Sequence, residues 1–305
     1  MAITGSSAPA FFRPNALDEV VKLYDAQQGP RLYQTLVSNK DHKAVNLRVA
    51  TVGDLPAAGP IDPLRGIPMV DRATPYYRDY TFTRYAIGAE YDRALTEIDW
   101  YKIVSDTSVM LNKAVDETLD IMAAGVFNFG NATTGPITLI TPDGLPLFST
   151  GHLLASGTQS NIVTGNSPLS WMAISDASAQ KRRFFTHEGN PVRRGMMNNV
   201  MVSPENFVEM QEIAKSTDRP DVADRATNIL KGMIGEVVSD PLFTSTTAWV
   251  MDSTKGNDDV QLVFRSRKHQ AHWQANEFDR VRHSVVVIAQ IVATDWRNYI
   301  YSAGA

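Results

Sequence analysis

Cysteine is absent from all 305 residues. That removes disulfide frameworks, thiolate metal sites and cysteine nucleophiles together, and it suits a chain made in a reducing cytosol. No apolar run reaches the roughly 20 residues that a membrane-spanning helix needs; the most apolar late segment, "SVVVIAQIV" from Ser284 to Val292, is far shorter. The start, "MAITGSSAPAFFRPNALDEV", has no basic segment leading into an apolar run, so no secretory leader is expected. Charge of one sign is lacking as well. With 29 basic and 33 acidic residues the net charge is -4, which argues against a dedicated nucleic-acid binder. The oddest absence is local. From Ile121 to Ser175 the only Asp, Glu, Lys or Arg is Asp143, in a chain whose residues are 20% charged.

What is present is a globular composition, 43% hydrophobic and 9% aromatic, long enough for about two domains. A chain of this size buries about three quarters of its unfolded surface and needs no crosslink to fold. Residues 1–30 read as an arm holding one short amphipathic helix, "NALDEVVKLYDAQ", capped by Asn15 and ended at Gly29-Pro30. "RLYQTLVS" and "KAVNLRVAT" alternate like two strands around the turn "NKDH". From Gly53 to Pro75 prolines recur every few residues, which excludes helix interiors and central strands and predicts a projecting functional loop.

"YRDYTFTRYAIGAEY" is the clearest strand, with a change of phase near Arg84 that predicts a twist or bulge. Ile98 to Asn128 reads as one long helix. Val104, Leu111, Val115, Leu119, Met122 and Val126 form its apolar stripe, with Asp106, Lys113, Asp116 and Asp120 mostly off it. "LSWMAISDASAQKRRFF" is a helix, and "NNVMVSPENFVEMQEIAKS" a buried strand running into a helix capped at Ser203. "ILKGMIGEVVSDP", "TAWVMDS", "VQLVFRS", "HSVVVIAQIV" and "RNYIYSA" add strands, so the fold class is α+β.

Chemistry-bearing patterns are weak. Ser149 and His152 in "LFSTGH" could form a nucleophile and base, but no orienting acid, oxyanion hole or G-x-S-x-G elbow accompanies them. His269, His272 and His283 could bring imidazoles together, yet a zinc site normally adds tighter spacing and a carboxylate or thiolate; exposed histidines are the preferred reading. The basic clusters at Lys181 to Arg183, Arg193-Arg194 and Arg265 to Lys268 read as solvated faces or intersubunit ion pairs. No P-loop or dinucleotide fingerprint occurs. The sequence therefore assigns no catalytic, cofactor-binding or metal residue.

The order of these elements, with several motifs, resembles the Hong Kong 97-type major capsid proteins of tailed bacteriophages. "DGLPLFSTGHLLASGTQSN" is similar to their "LFST-x-H" segment and the Gly/Ser loop ending in "SN", followed here by Leu169-Ser170. Asn228, Leu230, Lys231, Gly232, Val238, Asp240, Pro241, Ala248 and Trp249 match their "N-x-L-K-G … V-x-D-P … A-W" run. "NNVMVSPENFVEMQEI" resembles the strand-helix of their axial domain and "ATDWRNYIYSAG" their C-terminal strand. The family usually has Ala before the histidine and Pro after it, where Gly151 and Leu153 stand.

The resemblance implies an N-arm at 1–30, an extended loop with flanking strands at 31–92, a peripheral domain at 93–129 and 264–305, and an axial domain at 130–263. It implies a protein that assembles with itself as pentamers and hexamers of an icosahedral head around double-stranded DNA, in a virion made in the bacterial cytoplasm. Scaffold, portal and decoration proteins are the implied partners, with non-specific DNA contact and no membrane; no cleaved N-terminal delta domain is expected. An encapsulin-like compartment shell is the alternative role, and a serine hydrolase the alternative class. Because interface cores are depleted of charge, the charge-poor stretch is expected at subunit contacts, with the subunit's own core as the competing location. Candidate contacts are Leu147, Phe148, Leu153 and Leu154 there, and Leu55, Ile61, Leu64 and Ile67 in the proline-rich loop.

Overall fold

The structure is a computed structural model that describes residues 31–51, 55, 76–92, 103–192, 199–221, 226–253, 259–275 and 280–304. The expected arm helix and almost all of the proline-rich loop lie outside these residues. The described chain begins with a short helix, α1 (Leu32–Thr35), then β1 (Ser38–Asp41), β2 (Asn46–Ala50), β3 (Tyr77–Thr81) and β4 (Thr83–Asp92). The helix corrects the expected strand over "RLYQTLVS". The buried residues of this segment are Leu32 and Tyr33 in the helix and Leu36 and Val37 just after it, a spacing of three and four that a helical turn puts on one side and a strand does not. The expected turn "NKDH" is likewise mostly strand. β1 runs parallel to a late strand, with Ser38 opposite Gln261, while β2 pairs antiparallel with β3, so the two make no hairpin.

The change of phase in "YRDYTFTRYAIGAEY" falls at Phe82, where the chain passes from β3 to β4. The halves take different partners: β3 joins β2, and β4 joins β11 (Arg280–Ala293) from Asp92–Arg280 to Thr83–Ala289. β10 (Val260–Ala275) and β11 form a long antiparallel hairpin, bulged between Phe264 and His269, at the centre of the sheet β1-β10-β11-β4. At ~3.3 Å per residue this ribbon extends ~50 Å.

Helix α2 (Ile103–Phe129) is 27 residues, so it spans ~40 Å. It packs on β4 and β11 with Leu111, Val115, Leu119, Met122 and Val126 buried. Asp116 and Asp120 correct the expectation that they lie off the apolar stripe, being only 2% and 6% exposed. Partners explain it. Asp116 receives Lys268 Nζ at 2.9 Å, and Asp120 receives the Tyr33 backbone N–H at 3.0 Å and the Arg31 guanidinium at 3.4 Å. The helix ends against Gly130, where a Cβ would sit 2.3 Å from the Phe148 ring, so only glycine admits that ring.

The second body centres on the sheet β12-β9-β7-β8. β7 (Asn199–Val202), β9 (Trp249–Asp252) and β12 (Tyr299–Ser302) are buried throughout, as strands covered on both faces must be. β8 (Glu236–Val238) runs parallel to β7, which requires a crossover; α4 (Phe207–Lys215) lies in it. Ser203 does not cap that helix as expected. A turn intervenes, Asn206 takes the cap position without a side-chain bond, and the Ser203 hydroxyl donates to Thr246 O instead. Helix α3 (Trp171–Lys181) is capped by Ser170, whose Oγ accepts from Ala173 N at 3.1 Å. The ribbon β5 (His152–Leu154) and β6 (Gly157–Gln159) lies within the charge-poor stretch. β12 brings residues 299–302, near the end of the chain, into this sheet beside β9. One hydrophobic core runs through both bodies, from Leu32 and Val285 to Trp249 and Tyr301.

Candidate assembly surfaces

Part of the charge-poor segment 121–175 is interior, while 133–136 and 155–158 are exposed. Leu147 is 0% and Phe148 1% exposed within a single chain, the Phe148 ring stacked on Tyr301 with centroids 4.8 Å apart. Residues that one chain already covers have no surface left for a neighbour, so these two leave the set of contact candidates. Leu153 remains exposed and Leu154 half-buried on β5. Leu55 is exposed, and its carbonyl accepts from Asn190 Nδ2 at 2.8 Å. Ile61, Leu64 and Ile67 lie outside the described residues.

The opening of this stretch is held by a buried polar centre that sequence patterns did not reveal. His152 is fully buried, with Nδ1 2.8 Å from Asp143 Oδ2, Nε2 3.3 Å from Leu147 O, and its ring stacked on Trp296 at 4.2 Å. Asp143 also accepts from the Thr141 hydroxyl and from Leu145 N. Burial pushes the Asp143 carboxyl up, but the bonds from His152 and Thr141 outweigh it and hold the carboxyl below its ordinary value. Thus the orienting acid the hydrolase alternative lacked is present. Both imidazole nitrogens are nevertheless committed to Asp143 and Leu147, neither to Ser149, whose Oγ accepts from Gly151 N. The ring ties a loop to the C-terminal segment and leaves no base beside Ser149.

Two asparagines do comparable work. Asn161, fully buried, donates to Leu147 O and accepts from Ser149 N. Asn228 accepts from Trp171 Nε1 at 2.8 Å and donates to Ile213 O at 2.7 Å, joining α3 to α4. Both stand in the motifs "SN" and "N-x-L-K-G", the only sequence signal that marked them.

The histidines and basic clusters resolve separately. His269 is exposed, whereas His283 is buried with Nε2 3.3 Å from Gln270 Oε1. Among the described residues no three His, Cys, Asp or Glu side chains gather as a metal site, and no helix is long and apolar enough to cross a membrane. Lys181 is buried and donates to Asn298 O, so it is no solvated charge. Arg267 pairs with Asp41 and Lys268 with Asp116; Arg193 and Arg194 lie outside the described residues. Exposed large apolar side chains that sequence reasoning did not single out are Met110 and Ile121 on α2, Met172 on α3, Val208 on α4, and Ile229.

Comparison with known proteins gives one family. A family model described as phage capsid protein matches residues 74–298. A search of curated proteins finds no match. Among solved structures, a phage-related protein from Bordetella bronchiseptica RB50 superposes with a TM-score of 0.53 at 9% identity, covering 93% of this chain and 95% of that one. The capsid of the cyanophage P-SCSP1u gives 0.51 at 10% identity, covering 87% and 84%. A structure from Microbacterium phage Oxtober96 gives 0.51 at 11% identity, covering 87% and 88%. At these identities the likeness is one of fold.

Proposed function

The chain belongs to the phage capsid protein family and is a major capsid protein of the Hong Kong 97-type fold, and from this premise we propose how its parts divide the work of a shell. The observation that carries the reading is the reach of the family match, which takes in β4, the spine helix α2, strands β7, β8 and β9 of the buried sheet and the hairpin β10–β11 together. Its function is mechanical, so no catalytic residue is required.

The sheet β1-β10-β11-β4 with α2 forms a peripheral domain, and the sheet β12-β9-β7-β8 with α3 and α4 an axial domain at the centre of pentamers and hexamers. Residues 1–30 serve as an arm and 53–75 as an extended loop, both reaching across neighbours. Scaffold, portal and decoration proteins join the shell, which is assembled in the host cytoplasm and closes on double-stranded DNA. The net charge of -4 suits a wall that releases its genome, since tight binding of DNA takes many basic contacts.

Negative-stain microscopy of the purified chain, with nucleic acid extracted from particles made during infection, tests this. Closed shells holding phage DNA are expected. Shells that carry protein cargo and no genome would instead mark a storage compartment, and a monomer that never assembles would overturn the function altogether.

A further inference from the structure

Several exposed cations among the described residues are ion-paired: Arg48 with Asp79, Arg267 with Asp41, and Arg280 and Arg282 with Glu90. Two helical stripes of the axial half carry charges without such partners. Helix α3 exposes Met172, Asp176 and Ala179, continued past its end by Arg183. Helix α4 exposes Val208, Glu209, Glu212 and Lys215. Among the described residues, none of the charges in either stripe has an ion-pair partner. The α3 stripe also forms one wall of a cleft of about 440 Å³, closed on the other side by Gln159, Ser160 and Thr164.

The order of charge along each stripe selects a partner and an orientation. Asp176 and Arg183 are seven residues apart and Glu209 and Lys215 six, which at ~1.5 Å per residue is ~10.5 and ~9 Å. Laid antiparallel, Arg183 meets Glu209 and Asp176 meets Lys215, with Glu212 over the small Ala179. Laid parallel, Asp176 would face Glu209 and Arg183 would face Lys215, like against like. Because the same chain carries both stripes, each copy can offer one to each of two neighbours, which is the head-to-tail contact that closes rings.

We propose that the α3 cleft of one copy receives the α4 stripe of the next, antiparallel, and that this contact joins subunits around each capsomer. It rests on the capsid function and specifies one of its contacts. Ion pairs brought together in such a contact exclude water between them, so reversing one charge sets like against like at close range.

The test is a charge swap in the full chain: Arg183→Glu, Glu209→Lys, and both together. Each exposed single reversal is expected to leave circular dichroism unchanged and to cut the assembled fraction in sedimentation by ~10-fold or more, with the double variant restored to within about threefold. Singles that assemble like the unaltered chain, or a double no better than its singles, overturn the contact while leaving the capsid function standing. If reversals act only when a second phage protein is present, the cleft's occupant is that protein and the proposal is wrong. Should the unaltered chain form no shells at all, contact and function fall together.

Discussion

At the scale of single residues, the buried pair Asp143–His152 is the most consequential polar feature. Both groups are desolvated, so removing one partner strands the other. Breaking such a pair costs about 3–5 kcal/mol. His152→Ala or Asp143→Ala should therefore destabilise the isolated subunit by about 3 kcal/mol in chemical unfolding, whereas Ser149→Ala should stay within about 1 kcal/mol; equal effects would show that the ring and carboxylate are not the anchor. The pH dependence has a definite sign. Asp143 is held below its ordinary value, so its contribution is complete above the normal carboxylate range and fades as pH falls through the lowered one. Asp120 opposes this: burial raises its carboxyl, despite bonds from Tyr33 and Arg31, so acid relieves a cost there. At the alkaline end Tyr80, buried and hydrogen-bonded to Ile140 O and Ala293 O, has its phenol pushed up to about 12. Its contribution is full below the ordinary phenol range and lost as pH rises toward about 12. Acid unfolding followed in Asp143→Asn should show a weaker pH slope than the unaltered chain.

At the scale of elements, α2 shows what a sequence declares and what it withholds. Its length and apolar stripe were legible, because the spacing of Leu111, Val115, Leu119, Met122 and Val126 follows helical period. The burial of Ser108, Asn112, Asp116 and Asp120, spaced every fourth residue, was not. Asp116 and Asp120 depend on partners far along the chain, Lys268 for the one and Tyr33 with Arg31 for the other, and no local pattern encodes that. The same limit hid the helical turn at Leu32–Thr35, whose alternation mimicked a strand, and placed Leu147 and Phe148 at a surface when tertiary packing covers them. The strand of "TAWVMDS" was legible because its apolar run sits between clear turns. Asn112 Nδ2 donates within its own helix, to Ser108 O, while Ser108 Oγ and Asn112 Oδ1 have no hydrogen-bond partner among the described residues, so Asn112→Leu should hold or raise the subunit's stability, by up to about 1 kcal/mol. A clear drop would mean that the amide carries a bond the helix needs. For Asp116 and Lys268, Asp116→Leu alone should destabilise, and adding Lys268→Met should recover most of the loss; a double variant as unstable as the single would refute the pairing.

At the scale of the whole molecule, the proposed reading has the proline-rich segment gain its energy on neighbouring copies. It has five prolines between residues 53 and 75 and few large apolar side chains, so little of it can pay for burial within one chain. Replacing residues 55–72 with a short Gly/Ser linker should leave circular dichroism native-like while sedimentation stops at monomers or single capsomers. Unfolding of that variant would assign the loop to the core, and full-size shells would remove it from assembly.

The order of strands in the sheet β1-β10-β11-β4 has a consequence for how the protein is born. Thr83 in β4 must wait for Ala289, and Ser38 in β1 for Gln261, separations of about two hundred residues. On a bacterial ribosome adding about 5–20 residues per second, those edges stay without partners for roughly 10–40 s. Throughout that interval the nascent chain presents unpaired backbone to every other nascent chain on the same messenger. Arg84, Glu90 and Asp92 on β4 and Lys40 and Asp41 on β1 place charge along those waiting strands, which discourages edge-to-edge pairing. A protein that must later meet other copies of itself is thereby kept from meeting them too early.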